Sequence, residues 1–266
     1  MKKLILTAIM TMFLGVTAYS ITEEGNFDKE DETLKSDLYL SEEDFMLKYV
    51  KMMQGADSAY LYKIYSNTDV PETKIAILIM AAEKGFNDPY VLKMYSEGLR
   101  ESFFNYSQYK QPLAASDNWR VRAAAAYQIF KKPTGIEPAN KRKLILALMF
   151  NMRNDPQDRV QGISALALAK LFEGETDDPG KPVDRTDVLT KGAVIEMVNE
   201  QLVRVTTTQQ FYCWALVKAT GILKSNKSFF VLLETRKRGF NQKVKLEISR
   251  SLTNISGGGV SGGPSK

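Results

Sequence analysis

Apolar residues recur along most of this chain with the spacing of an α-helix. In residues 157–171, QDRVQGISALALAKL, the positions Val160, Ile163, Ser164, Ala167, Leu168 and Leu171 fall at offsets 0, 3, 4, 7, 8 and 11. At about 100° per residue those offsets make one helical face. Val121, Ala124, Ala125, Gln128 and Ile129 follow the same offsets, and Val244, Ile248, Ser251, Leu252 and Ile255 do so at 0, 4, 7, 8 and 11. Tyr212, Ala215, Leu216, Ala219 and Leu223 follow them loosely. No segment shows the strict alternation of a half-buried strand.

The punctuation between these runs is regular. SNTDVPE, KGFNDP, KKPTGIEPAN, RNDPQD and SNKS each follow an apolar run. Asp, Asn, Ser or Thr before a helix start supplies a cap, and Pro in the first turn loses no hydrogen bond there. The pattern predicts helices over 41–53, 58–65, 72–84, 88–100, 118–130, 140–152, 157–172, 187–204, 208–223, 228–238 and 242–255. The later ones pair off: 140–152 with 157–172, 187–204 with 208–223, and 228–238 with 242–255. Consecutive antiparallel helix pairs with short turns predict an all-α fold, an α-solenoid of four to five stacked pairs. The small residues of 157–171 fit that expectation. Ser164 and Ala167 share the main face, and Ala165 and Ala169 flank it where neighbouring helices would press from the sides.

DNWRVRAAAAYQIF, DRVQGISALALAKL and NQKVKLEISRSLTNI resemble the second helix of HEAT repeats, in the armadillo-like family of α-solenoids. The resemblance covers residues 110–256. It lies in a polar residue a few positions before Val-Arg, then small residues and an Ala-Leu-Gly-like ending. Arg122 follows Val121 as in the pattern, whereas Gln161 and Lys245 stand in the arginine's place. Glycine at the ending appears as Gly221, with Ala169 and Thr253 elsewhere. Further forward, MAAEKGFNDPYVLKMYSEGL resembles tetratricopeptide or Sel1-like repeats, and it also reads as a generic helical hairpin. The HEAT resemblance implies a right-handed superhelix whose second helices line a concave, partner-facing side. Arg122, Tyr127, Lys131, Lys170, Lys218, Lys245 and Arg250 are then the residues expected on that side. Bases dominate this set, which points to an acidic peptide, an acidic protein face or an anionic polymer.

The ends of the chain add an address. Lys2 and Lys3 precede an uncharged, mainly apolar run over 4–16, then TAYS, with Ala18 and Ser20 placed as the small residues of a cleavage site. That is the layout of a secretory signal peptide over 1–20. The apolar run is shorter than the roughly 20 residues that span a bilayer as a helix. The expected organisation is a signal peptide 1–20, an acidic leader 21–40, a helical repeat domain 41–255 and a disordered Gly/Ser-rich tail 256–266. The expected location is periplasmic or secreted, with no stable membrane span once the signal is removed.

Composition narrows the chemistry. The chain has no histidine and one cysteine, Cys213. A Ser-His-Asp triad, an imidazole zinc site and an intrachain disulfide are therefore excluded. Cys213, in FYCWALV, reads as a small buried hydrophobe. The formal charge of +5 falls to +3 without Lys2 and Lys3, and its distribution is uneven. Residues 21–57 carry 11 acids and 4 bases, and residues 224–250 carry 8 bases and 2 acids. An exported protein rarely meets nucleic acid, which is not an expected partner.

Two loops hold concentrated chemistry. EGETDDPGKPVDRTD clusters Asp177, Asp178, Asp184 and Asp187, but without the ligand spacing of a calcium loop and with Lys181 and Arg185 inside it. It reads as an inter-repeat loop. SFFNYSQYKQP, 102–112, reads as an aromatic cover between repeats or as a recognition surface. No phosphate-binding glycine loop and no convergent carboxylate pair is visible, so no cofactor, metal or catalytic residue is expected. The function that emerges is an exported, non-catalytic scaffold for a protein or peptide partner. A structural part of a cell-envelope assembly, with self-association of copies, is the alternative, and an enzyme on a solenoid is a further one.

Overall fold

A computed structural model describes residues 56–100, 119–175 and 190–257. Among them are ten α-helices and no strand, so the described chain is all-α. The helices are α1 (Ser58–Ser66), α2 (Pro71–Ala82), α3 (Pro89–Gly98), α4 (Trp119–Lys131) and α5 (Pro138–Asn154). They continue as α6 (Asp158–Leu171), α7 (Lys191–Arg204), α8 (Gln210–Leu223), α9 (Phe229–Lys237) and α10 (Gln242–Gly257). A 3₁₀ turn, Asn226–Ser228, leads into α9. The signal peptide, the leader, the expected helix over 41–53, the aromatic connector and residues 258–266 of the tail lie outside the described residues.

Three helix starts carry a polar side-chain cap, and α7 begins at Lys191 behind Thr190 rather than at 187. The Asp57 carboxylate accepts from the Tyr60 amide at 2.7 Å, and Asp88 accepts from Tyr90 and Val91 at 2.8 and 3.1 Å. Thr190 accepts from Ala193 at 3.2 Å. Pro71, Pro89 and Pro138 open α2, α3 and α5, where a missing N–H leaves nothing unpaired.

The helices pack in two rows. The even-numbered helices form one: α2 lies against α4, α4 against α6, α6 against α8 and α8 against α10. In the other, α1 touches α3, α3 touches α5 and α7 touches α9. Within the sequential pairs, α6 packs on α5, α8 on α7 and α10 on α9. The even row carries most of the core. In α6, ten of fourteen residues are buried, Ser164, Ala165, Ala167 and Ala169 among them, so this helix is enclosed on several sides. Small side chains let the backbones approach closely. A Cβ added at Gly162 would lie 2.8 Å from the Phe211 ring of α8 and 3.0 Å from the Ala215 Cβ. One added at Gly221 would lie 2.7 Å from the Ser251 Oγ of α10 and 3.3 Å from its Cα. The Ser251 hydroxyl instead donates to the Val217 carbonyl at 2.9 Å.

The odd-numbered helices end in carbonyls that their own helix cannot satisfy. In three successive cases a side chain from further along the chain does so. Asn151 Nδ2 donates to the Leu99 carbonyl at 2.6 Å. The Tyr212 hydroxyl donates to the Met152 carbonyl at 2.7 Å, where Pro156, four residues on, has no N–H to give. Arg238 donates to the Leu202 carbonyl at 2.7 Å and to that of Val205. A fourth tie joins α4 to the turn before α6. Arg122 Nε and Nη2 donate to the two oxygens of Asp155 at 2.6 and 3.1 Å, with side chains 1% and 0% exposed. Asp155 also accepts from the Gln157 amide at 3.0 Å.

Candidate partner-binding face

The second helices α4, α6, α8 and α10 share a register, with Val121, Val160, Tyr212 and Val244 at the zero position. The register stripe is buried in each, and in α4, α6 and α8 burial extends around most of the helix. At about 100° per residue, the positions at −1, +2, +6 and +10 cluster on the opposite side. Arg159 and Lys243 stand at −1, Trp214 at +2, Tyr127, Lys218 and Arg250 at +6, and Lys131 and Lys170 at +10.

Cations and rings alternate there. The Arg159 guanidinium of α6 lies 5.7 Å from the Trp119 ring centroid of α4. Lys131 Nζ lies 5.9 Å from the Tyr127 ring, and Lys170 Nζ of α6 lies 5.9 Å from the Phe130 ring of α4. Lys218 of α8 and Lys243 of α10 flank Trp214 at 5.3 and 5.9 Å. Phe211 completes that cluster, 5.7 Å from Trp214 between centroids. Each such contact is worth about 0.5–1 kcal/mol at an exposed site. The rings also restrict the long side chains. Carboxylates meet several of these cations, and Arg120, also at −1, pairs with Glu72 of α2 at 3.3 Å. Lys170 pairs with Glu173 at 2.8 Å, and Arg250 stands 3.9 Å from a carboxylate oxygen of the nearly buried Glu247.

No protein family, curated protein or solved structure matches this chain. The placement of the expected site residues therefore rests on the geometry alone. Lys131 is exposed, and Lys170, Lys218, Lys245 and Arg250 are half-buried. Arg122 is not at the surface. It stands at +1, roughly 145° around the helix from the centre of the cationic side, and turns toward Asp155 in the core. Lys245 holds the same +1 register in α10. Tyr127 is on the cationic side by angle, but its side chain is buried. Sequence reasoning missed Arg159 and Lys243, both at −1, and the rings that seat the cations. The Trp214–Lys218 spacing of four residues was a visible signal, as neighbours on one helical face.

The rest of the expected chemistry is sparse. Cys213 is fully buried, and burial pushes its thiol up to about 12 against a small opposing effect of Arg238. It carries no thiolate near neutral pH. Tyr212, beside it, is likewise raised by burial, with Arg153 acting in the other direction. Among the described residues no group of three Cys, His, Asp or Glu side chains is placed to hold a metal. The four aspartates of the 173–187 loop lie outside those residues. Among them too, no helix is long and apolar enough to cross a membrane.

Proposed function

We propose that this chain is an exported, non-catalytic scaffold, a right-handed HEAT-like α-solenoid that binds an acidic protein or peptide on the face of its second helices. The observation that carries the reading is the cluster in which Lys218 and Lys243, from adjacent helices, flank Trp214 at 5.3 and 5.9 Å. A ring that holds two ammonium groups from neighbouring helices builds positive charge into the packing itself. The two-row contact pattern supports the solenoid, because each even-numbered helix buries its small-residue faces against the next. The partner would lie across the even row with its carboxylates toward these cations, so its binding weakens with salt.

Both tryptophans of the chain, Trp119 and Trp214, sit under cations of this face, which gives a direct test. Intrinsic fluorescence is followed while a poly-glutamate peptide is added at low ionic strength. A saturable change, reversed by salt, is the expected result. Binding that leaves both tryptophans unaffected while tracking a different surface would overturn the assignment.

A further inference from the structure

We propose that the outer face of α7 and α9, in the odd row, is a self-association surface on which a second copy of this chain docks about a two-fold axis. Single exposed apolar side chains are ordinary on a protein surface, but here they are concentrated. Of eight exposed large apolar side chains among the described residues, six stand on odd-numbered helices. Val203 of α7 and Phe230 of α9 are the most open of them, at 68% and 77%. Phe229 meets Phe230 edge-on, with ring centroids 5.8 Å apart.

Two ties set the level of one helix against the other. Asn199 Nδ2 donates to the Lys227 carbonyl at 3.5 Å, and Arg238 donates to the Leu202 and Val205 carbonyls further along. The helices therefore run side by side in the same direction. Val203 lies one helical turn beyond Asn199, about 6 Å along the axis, and Phe230 lies about 5 Å beyond Lys227. The two apolar side chains thus stand level, on packed helices about 8–10 Å apart.

The charges beside them decide the partner. On the outer face α7 reads Glu200, Val203, Arg204, and α9 reads Lys227, Phe230, Glu234. The signs run in opposite order at matching levels. A two-fold axis parallel to the helices and midway between them lays Phe230 of each copy on Val203 of the other. The same rotation sets Lys227 opposite Glu200 and Glu234 opposite Arg204. Such a face is self-complementary, as a two-fold contact requires. Each of these charges already has an interaction in its own chain. Glu200 meets Arg153 at 3.0 Å and Arg204 at 2.6 Å, Glu234 meets Lys237 at 2.6 Å, and Lys227 is engaged as well. Docking therefore joins existing pairs into a network around the apolar centre. The even row does not suit a second copy, because its cations would face their own kind. Two helices, the longer about 21 Å, present roughly 400 Å². That is about half of the ~800 Å² per partner in a standard interface, which places the association in the weak class.

The test is sedimentation equilibrium of the full chain over the micromolar to sub-millimolar range. A monomer–dimer equilibrium is expected. Phe230→Glu should weaken it about tenfold or more. Arg204→Glu and Glu234→Arg should each weaken it too, since each sets like charges opposite one another across the axis. An equimolar mixture of the Arg204→Glu and Glu234→Arg chains should associate again, because each copy then meets the opposite charge on the other. All three side chains are about two-thirds exposed or more, and circular dichroism should confirm that the variants stay folded. The contact uses no residue of the even-row face, so poly-glutamate binding should persist in Phe230→Glu. A chain that stays monomeric throughout, association indifferent to Phe230→Glu, or a mixture that does not restore it overturns the proposal. Association abolished instead by Lys218→Glu/Lys243→Glu overturns it as well, by placing the contact on the even row.

Discussion

Removing one partner of the Arg122–Asp155 pair should be among the most damaging single changes this chain can suffer. Both side chains are essentially unexposed, and the guanidinium meets the carboxylate through two bonds at 2.6 and 3.1 Å. Asp155→Ala takes two charge-assisted bonds from a buried guanidinium and also frees the Gln157 amide that Asp155 accepts. Breaking a buried pair in this way costs about 3–5 kcal/mol. Set against a net stability of about 5–15 kcal/mol, that is a large share. With a urea slope of about 2.5 kcal/mol/M, a 4 kcal/mol loss moves the unfolding midpoint down by roughly 1.5 M. Arg122→Met should cost a similar amount for the mirror-image reason. The double variant should cost well under the sum, since both single changes break the same two bonds. Arg122→Lys keeps the charge, loses the fork and should fall between. Urea unfolding followed by circular dichroism gives all four corners of the cycle. Single-variant losses below about 1 kcal/mol, the size of an exposed pair, would refute the assignment of Arg122 to the core.

Three further outcomes follow from the packing and the titrating groups. Ala167→Leu inserts three heavy atoms into a fully buried position of α6 and should destabilise by about 1–3 kcal/mol; a melting temperature unchanged or raised contradicts the enclosure of this helix. Cys213 should resist a disulfide reagent at pH 8 in the folded protein and react on unfolding in urea, because burial holds its thiol up near about 12; rapid labelling under native conditions would contradict its burial. Asp88 is raised by burial, but bonds from the Ser58 hydroxyl and the Val91 and Tyr90 amides, with the charge of Lys84, outweigh this and leave it below its ordinary value. Its stabilising effect is therefore present above the unfolded value and lost as pH falls through the lower folded one. Asp88→Ala should cost about 0.5–2 kcal/mol near neutral pH, and urea midpoints should show that gap narrowing below about pH 4; a gap independent of pH contradicts the account.

How much of this was legible in the sequence differs between the two rows. Helices α4, α6, α8 and α10 carry a repeated apolar register, and their positions and the burial of that register follow from it directly. Val160, Ile163, Ala167 and Leu168 are buried as their spacing requires. The joints between successive pairs leave no such trace. Asn151, Tyr212 and Arg238 perform one task, satisfying carbonyls at helix ends, yet share neither residue type nor spacing. Arg122 was expected at the surface because the HEAT resemblance places outward residues of the second helices on a partner-facing side. Its +1 position, between the buried stripe and the neighbouring helix, decides otherwise. The acidic leader and the aspartate loop, prominent by composition, fall outside the described residues.

The central claim, that the cationic face of the even row recognises an acidic partner, is tested most directly by charge reversal. The measurement is the affinity of a poly-glutamate peptide, by fluorescence anisotropy at low salt, for the unaltered chain, for Lys218→Glu/Lys243→Glu and for Lys143→Glu on the opposite row. The account predicts a loss of at least about tenfold for the double reversal and little change for Lys143→Glu. Equal affinity in all three, with every variant folded, would contradict it.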